Sequence, residues 1–300
     1  SEASPDVDLS QGRRVYVSLV LDFSASTELV KSELLEATRL FVEQLLDTSP
    51  KIRVGIRIFD GRAELKEMLL PTRNTSDLNA ALEALANYDS TVDPERDSGS
   101  TNLNGAFVDG ISDLQSWQDS IMASNSNGVV TTGYVVTFTD GRDTAERTTQ
   151  SAARSSVQEA RISGGGGDAP PNVQTYAVAY HGDDWSEDAQ SALLDIVGGS
   201  RYLIEADEPS ELSTRFQELA RRIAAEAQAT HLLKYCSAAR SGQRTVTLDV
   251  NPEVGTTETF LSFTFSADGF SGGCIEWIDR VCVGRQCGGF NCGACEEDSE

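Results

Sequence analysis

The amino-acid sequence predicts an α/β protein: a doubly wound, mostly parallel sheet with helices on both faces, followed by a small β-rich, disulfide-stapled C-terminal segment. Between residues 14 and 229, apolar strand-like runs alternate with helix-like segments, which is typical of a parallel sheet with helical crossovers. Several runs are almost continuously apolar, as expected for strands buried on both faces. Two of them lead into Asp22 and Asp140, at the strand ends where open α/β sheets bind ligands.

The first half of the chain predicts a central strand, a strand pair and three helices. The run RVYVSLVLD at 14–22 is the predicted central strand. Apolar residues then recur at helical spacing over 28–47, with Leu29 among them, and predict a helix. The other elements are strands at 52–61 and 63–71 joined by a tight turn at DGR, a helix at 76–88, a polar loop at 89–100 and a helix at 103–122.

The second half repeats the alternation. The run VVTTGYVVTFTDG at 129–141 predicts a second central strand, and VQTYAVAY at 173–180 predicts a third. The remaining predictions are helices at 144–161, 186–197 and 209–229, a flexible surface loop at 163–171 and a short strand at 201–206. On the last helix Leu212, Phe216, Leu219 and Ile223 share one face.

Charge and hydropathy exclude two classes of partner. The chain has 24 basic and 47 acidic residues, a net charge of −23, whereas binding to nucleic acid requires clustered Lys and Arg. No apolar run approaches the roughly 18–20 residues of a membrane span. No signal peptide is recognisable at the start, so residues 1–13 are interpreted as a polar leader.

The cysteines divide the chain unevenly. All six follow residue 235, and they are Cys236, Cys274, Cys282, Cys287, Cys292 and Cys295. An even number crowded into a short segment predicts disulfides and an oxidising compartment, although four thiolates around zinc are an alternative and the pairing is open. We therefore predict an α/β domain at 14–229, a small β-rich region at 230–273 with strands at 244–250 and 258–265, and a Cys-rich tail at 274–300.

Three separated motifs place side-chain oxygens at the predicted ends of strands and helices. DFSAS supplies Asp22, Ser24 and Ser26, GSTNLNG supplies Thr101, and FTDGRD supplies Asp140. Alternate residues of an extended segment point the same way, and carboxylate and hydroxyl oxygens suit hard cations such as Mg²⁺. The motifs predict a site for Mg²⁺, or for Mn²⁺ or Ca²⁺, that leaves the ion able to accept an outside anionic oxygen. Helix capping alone is the simpler alternative.

Enzyme sites explain these residues less well. A phosphoaspartate at Asp22 would need a second carboxylate where the chain has Ser24. The aspartic-protease-like DSGST occurs once and lacks the second copy that such a dyad requires. Only His181 and His231 could serve a Ser-His-Asp triad, no Gly-x-Ser-x-Gly accompanies them, and the GGGG run lacks the Lys and Ser/Thr of a P-loop. We therefore predict that the protein is not an enzyme.

The three motifs, in this order, resemble the von Willebrand factor A domain and its metal-ion-dependent adhesion site. The resemblance covers roughly residues 14–229 and includes all five ligand positions. It implies that Ser24, Ser26 and Thr101 hold the ion directly or nearly so, and that Asp22 and Asp140 act through water. Thr27 stands where many members have Met, at a position that is not a ligand.

The resemblance also implies a function and a place in the cell. It implies an adhesion or protein-binding module in which a partner's Glu or Asp completes the coordination of the cation. Asp143, Asp183 and Trp185 are candidate partner-contact residues around that face. The Cys- and Gly-rich tail resembles short disulfide modules of bacterial surface proteins. We expect a secreted or surface-anchored protein, with a lipoprotein anchor as one form; the alternative is a periplasmic assembly or scaffolding subunit using the same site.

Overall fold

The computed structural model describes residues 13–88, 99–124, 130–162, 172–182, 185–229, 242–250 and 259–266. These residues belong to two compact units. The first holds β1 (Arg13–Asp22), α1 (Lys31–Thr48), β2 (Ile52–Phe59), β3 (Lys66–Thr72), α2 (Thr75–Ala86), α3 (Leu103–Ser124), β4 (Val130–Thr139), α4 (Gln150–Ile162), β5 (Val173–Tyr180), α5 (Glu187–Val197), β6 (Leu203–Ala206) and α6 (Leu212–Ala229). The second holds β7 (Gln243–Val250) and β8 (Thr259–Ser266), which pair antiparallel.

The larger unit contains one six-stranded sheet in the order β3-β2-β1-β4-β5-β6. All its neighbouring strands are parallel except β2 and β3, which pair antiparallel. The predicted fold class, a doubly wound and mostly parallel sheet, is confirmed. The chain starts near the middle of the sheet, fills one side, and then crosses to the other side at β4. This reversal leaves a crevice at the carboxyl ends of β1 and β4, where such folds bind ligands.

Helices cover both faces of this sheet. On one face Phe216 of α6 packs edge-on against Phe41 of α1, with ring centroids 5.8 Å apart, and lies 6.2 Å from Phe138 of β4. On the other face α3 crosses closely at Gly110, where an added Cβ would come within 3.1 Å of the Val20 side chain. Burial of the sheet from both sides explains why its central strands are mostly apolar.

The start of α1 differs from the sequence prediction. Residues Ala25–Val30 form a 3₁₀ segment, and the α-helix begins only at Lys31. The hydroxyl of Thr27 lies 2.9 Å from the carbonyl oxygen of Ser24, which holds this tighter turn. Leu29, expected among the regularly spaced apolar residues of the helix, is 85% exposed.

Two loops were also predicted incorrectly. The helix expected at 144–161 begins at Gln150, because Thr149 caps it by accepting the N–H of Ala152. The tight turn expected between β2 and β3 is a six-residue connection over 60–65. There the Asp60 carboxylate accepts the N–H of Arg62 at 2.9 Å, and the Gly61 carbonyl accepts the Arg147 guanidinium.

The other predicted boundaries of strands and helices agree with the structure to within a few residues. A 3₁₀ turn, Pro209–Glu211, precedes α6, and another, Ser200–Tyr202, precedes β6. Among the described residues, no helix is both long and apolar enough to cross a membrane. The predicted leader as far as residue 12, the surface loop at 163–171 and all six cysteines lie outside the described residues, so disulfide formation stays a prediction.

Candidate metal centre

The candidate site lies at the carboxyl ends of the two central strands. Asp22 is the last residue of β1, and Asp140 directly follows β4, its neighbour in the sheet. Both carboxyl groups are almost inaccessible to solvent, at 0% and 4% exposure. A buried carboxylate is costly unless it is hydrogen-bonded or paired with a cation, so the two together mark an unusual position in this core.

Asp22 is held in place through both of its carboxylate oxygens. Oδ1 accepts the backbone N–H of Ser24, and Oδ2 accepts the hydroxyl of Thr139, each at 2.9 Å. Burial, and next the nearby charge of Asp140, raise the pKa of Asp22 to about 7, although these hydrogen bonds act in the opposite direction. A divalent cation beside this carboxyl group would relieve the same cost of burying its charge.

Two serine hydroxyls connect the two aspartate segments. The Oγ atoms of Ser24 and Ser26 are 3.2 Å apart, and Ser26 Oγ donates to Asp140 Oδ1 at 3.0 Å. Both serines therefore face the same place, although Ser26 lies in the 3₁₀ segment and not in extended backbone. The Thr27 hydroxyl, 3.0 Å from the Asp22 carbonyl oxygen, fixes the turn that presents them.

Thr101 reaches this edge of the sheet from the loop before α3. Its backbone N–H donates to the Thr144 hydroxyl at 2.8 Å, and its carbonyl accepts the N–H groups of Thr144 and Ala145. The next residue, Asn102, donates its N–H to the Asp60 carbonyl at 2.9 Å. The Thr101 loop is thus tied both to the loop after Asp140 and to the end of β2, and Thr101 is only 8% exposed.

The donor set fits a hard divalent cation. The described residues contain no cluster of three His, Cys, Asp or Glu side chains that could hold a metal by itself, so a cation here would depend on the hydroxyl groups as well. Two carboxylates and three hydroxyls are the oxygen ligands that Mg²⁺ accepts, usually together with water. Asp22, Ser24, Ser26, Thr101 and Asp140 would hold it, and the ion would supply a positive charge able to attract an external carboxylate.

The carboxylate of Asp143, one of the candidate partner contacts, accepts hydrogen bonds from backbone N–H groups. Its Oδ2 accepts the N–H of Asn104 at 2.8 Å, and its Oδ1 accepts the N–H of Glu146 at 2.7 Å. The side chain is half-buried, and this burial raises its pKa. Asp143 therefore satisfies a free N–H in the first turn of α3 and stabilises the loop after Asp140.

Trp185, a second candidate, lies on the β5 side of the site. Its ring stacks on His181 with the centroids 4.4 Å apart, and the imidazole lies between the carboxylates of Glu205 and Asp207. In the same loop, a Cβ added to Gly182 would lie 3.6 Å from that of Asp140, so the loop borders the candidate centre. Asp183, the third candidate, lies outside the described residues.

The sequence interpretation missed the residues that support the candidate ligands. Thr139 fixes the orientation of Asp22, and Thr144 fixes the Thr101 loop. The position of Thr139 carried a usable signal, because it is a hydroxyl residue at the end of an apolar strand and directly precedes Asp140. The role of Thr144 carried none, because it depends on a contact between segments 43 residues apart.

Comparisons with known proteins show only distant likeness. No protein-family model and no curated protein matches the sequence. Proximal thread matrix protein 1 from the mussel byssus is 17% identical, with a TM-score of 0.46 over 70% of this chain and 48% of that one. The pilus adhesin SpaC of Lactobacillus rhamnosus GG is 13% identical, with a TM-score of 0.48 over 71% of this chain and 30% of that one.

The von Willebrand factor domain of the pilus tip protein Mfa5 from Porphyromonas gingivalis is 12% identical, with a TM-score of 0.47 over 74% of this chain and 99% of that one. The chain thus spans less than half the length of the mussel protein and of SpaC. The function proposed below therefore rests on the residues of the site itself.

The metal-free protein is expected to lose stability as the pH rises from about 4 to about 7. In the unfolded chain Asp22 has its ordinary pKa of 3.8, whereas in the folded protein the value is about 7. Between these values the folded state binds more protons than the unfolded state, so raising the pH favours unfolding, by an amount on the order of a few kcal/mol. Urea unfolding in EDTA at each pH measures this loss.

Saturating Mg²⁺ should remove most of that loss, because a cation favours the ionised form of Asp22. The matched control is Asp22→Asn, which keeps the shape of the side chain but cannot ionise, and its stability should depend less on pH. An equal pH dependence in Asp22→Asn would show that other groups cause the effect.

Proposed function

We propose that the protein is a metal-dependent adhesion or protein-binding module that grips a Glu or Asp of a partner protein through a divalent cation, and that it is not an enzyme. The observation that carries the proposal is the hydrogen-bonded group of Ser24, Ser26 and Asp140 beside buried Asp22 at the reversal point of the sheet, with the Thr101 loop held against the loop after Asp140. Mg²⁺ is the cation that this donor set suits best, and Mn²⁺ or Ca²⁺ are the alternatives.

The charge of the donor set supports a role in binding an external acid. Three of the five proposed ligands are neutral hydroxyls, so the protein supplies at most two negative charges to a divalent ion. Burial around Asp22 and Asp140 lowers the effective dielectric constant, which strengthens attraction between the ion and a further anionic oxygen. A carboxylate on a partner protein would supply that oxygen, and the bond would break when the ion is removed.

The surroundings of the site support binding rather than catalysis. His181 is the histidine among the described residues, and both of its ring nitrogens lie within 3.1 Å of carboxylate oxygens of Glu205 and Asp207. In this arrangement the imidazole is oriented by its neighbours rather than towards a nucleophile. We further propose a secreted or surface-exposed location, in keeping with the surplus of acidic residues and the Cys-rich tail.

A bead-displayed peptide library tests the proposed function. Each bead carries one sequence with a central Glu, Asp or Gln and randomised flanking residues, and the labelled protein is added with Mg²⁺ or with EDTA. We expect capture by Glu or Asp beads over Gln beads in Mg²⁺, and none in EDTA. Added NaCl should weaken capture less than chelation does, because a direct bond to the ion is screened less than surface ion pairs.

Thr101→Ala should reduce capture and the affinity for Mg²⁺ roughly tenfold or more, since it removes one proposed ligand from a pre-formed site. Thr75→Ala is the matched control, because Thr75 is exposed at the start of α2, near the amino end of β2. Equal capture by Gln beads, or capture that persists in EDTA, would contradict the proposed function.

A further inference from the structure

The 3₁₀ segment Ala25–Val30 presents three distinct faces. A 3₁₀ helix has three residues per turn, so residues three apart lie on the same face. The three pairs are Thr27 with Val30, Ala25 with Glu28, and Ser26 with Leu29. The first pair is buried, at 3% and 4% exposure, and the second is exposed. The third pair therefore occupies the remaining face.

That third face is the one turned towards the candidate metal centre. The Ser26 hydroxyl donates to Asp140 at 3.0 Å, which fixes the direction of the face. Leu29 follows one turn later, about 6 Å along the axis at the usual rise of about 2 Å per residue. Its side chain is 85% exposed. A solvent-exposed leucine thus lies one helical turn from a proposed ligand of the cation.

The leucine is held in this exposed position by its neighbours. Thr27 anchors the segment by hydrogen bonds to the carbonyl oxygens of Asp22 and Ser24, and Val30 is buried behind it. Turning Leu29 inward would require one of these buried side chains to leave. The adjacent Glu28 pairs with Lys31 at 3.4 Å, so the charges beside the leucine largely neutralise each other.

Leu29 differs from other exposed apolar residues in which end of the sheet it lies near. Among the described residues the large exposed hydrophobics are Leu29, Leu70 and Ile162. Single exposed apolar side chains are common and need no special role. Ile162, exposed to 84%, ends α4 close to the amino end of β5, whereas the metal centre lies at the carboxyl ends of the strands. Leu29, unlike Ile162, is therefore an exposed apolar residue that a partner on the metal face would meet.

We infer that Leu29 forms an apolar subsite beside the cation and selects partners by the residue two positions away from their acidic ligand. This inference rests on the function proposed above. In an extended protein segment, residues two apart point the same way and lie about 6.6 Å from each other. That spacing matches the distance from Ser26 to Leu29. The partner is accordingly an extended segment with Glu or Asp at one position and Leu, Ile, Val, Phe or Met two positions away.

The same bead library tests this subsite. Sequencing the Glu beads that capture wild-type protein in Mg²⁺ should show apolar residues enriched two positions from the Glu, with roughly five- to tenfold tighter binding than serine there. Leu29→Ser should abolish this preference while binding Mg²⁺ as the wild type does in calorimetry, and Leu29→Met should retain it. Ile162→Ser is the control matched in exposure, and it should bind as the wild type does.

The outcomes separate the two proposals. If wild type captures Glu over Gln beads but shows no apolar preference, or if Leu29→Ser keeps the preference, the subsite is overturned and the proposed function stands. If wild type does not distinguish Glu from Gln in Mg²⁺, both are overturned. The subsite is supported if Leu29→Ser loses the apolar preference while Leu29→Met and Ile162→Ser keep it.

Discussion

Replacing Asp22 by alanine is expected to weaken Mg²⁺ binding by roughly 100-fold or more, since even supporting residues around a metal contribute about 10- to 100-fold. The variant loses one of two buried carboxylates and also leaves the Ser24 N–H and the Thr139 hydroxyl without their acceptor. Titration calorimetry with Mg²⁺ at pH 8, where the wild-type carboxyl group is mostly ionised, measures the effect.

Asp22→Asn is the companion variant, because it retains an oxygen acceptor and removes only the charge. It should also lose most of the Mg²⁺ affinity. At pH 8, where burying the ionised group is most costly, its free energy of unfolding should be at least as high as that of the metal-free wild type. Wild-type Mg²⁺ affinity in Asp22→Asn would remove this carboxylate from the proposed site.

Replacing Phe216 by alanine is expected to destabilise the protein by about 3–5 kcal/mol, the usual cost of removing a large aromatic side chain from a core. Its ring is fully buried and contacts Phe41 of α1 and Phe138 of β4, so its loss leaves a cavity between two helices and the sheet. Urea unfolding at constant pH measures the change in the free energy of unfolding.

Arg215→Ala is the control on the same helix. Arg215 forms partly exposed ion pairs with Glu211 and Glu218, and such pairs contribute about 0–1 kcal/mol. A loss below about 1 kcal/mol in Phe216→Ala would show that α6 is not an essential part of this core.

The fold class was predictable because burial on both faces leaves a direct mark on the sequence. Six of the ten residues of β1 and six of the eight residues of β5 are apolar, as expected for short strands buried on both faces. The five proposed ligands could be picked out because DFSAS, GSTNLNG and FTDGRD each keep their residues close together in the chain, and their binding of a cation stays a prediction.

The loops were less predictable, because their hydrogen bonds join distant segments. Residues 144–149 have the composition of a helix start, but the Thr101 carbonyl takes the N–H of Thr144, and Asp143 takes that of Glu146. The exposure of Leu29 was missed because an α-helical period was applied to a 3₁₀ turn. Its residues face different directions under the two periods.

Crystals of the protein grown or soaked with Mn²⁺ give the most direct measurement of the central claim, because anomalous scattering locates the ion without assumptions. The account predicts one Mn²⁺ peak in the crevice between the ends of β1 and β4, among the oxygens of Asp22, Ser24, Ser26, Thr101 and Asp140, and its absence in Asp22→Ala. A wild-type crystal with no peak there, or with its ion at Glu205 and Asp207 instead, would contradict it.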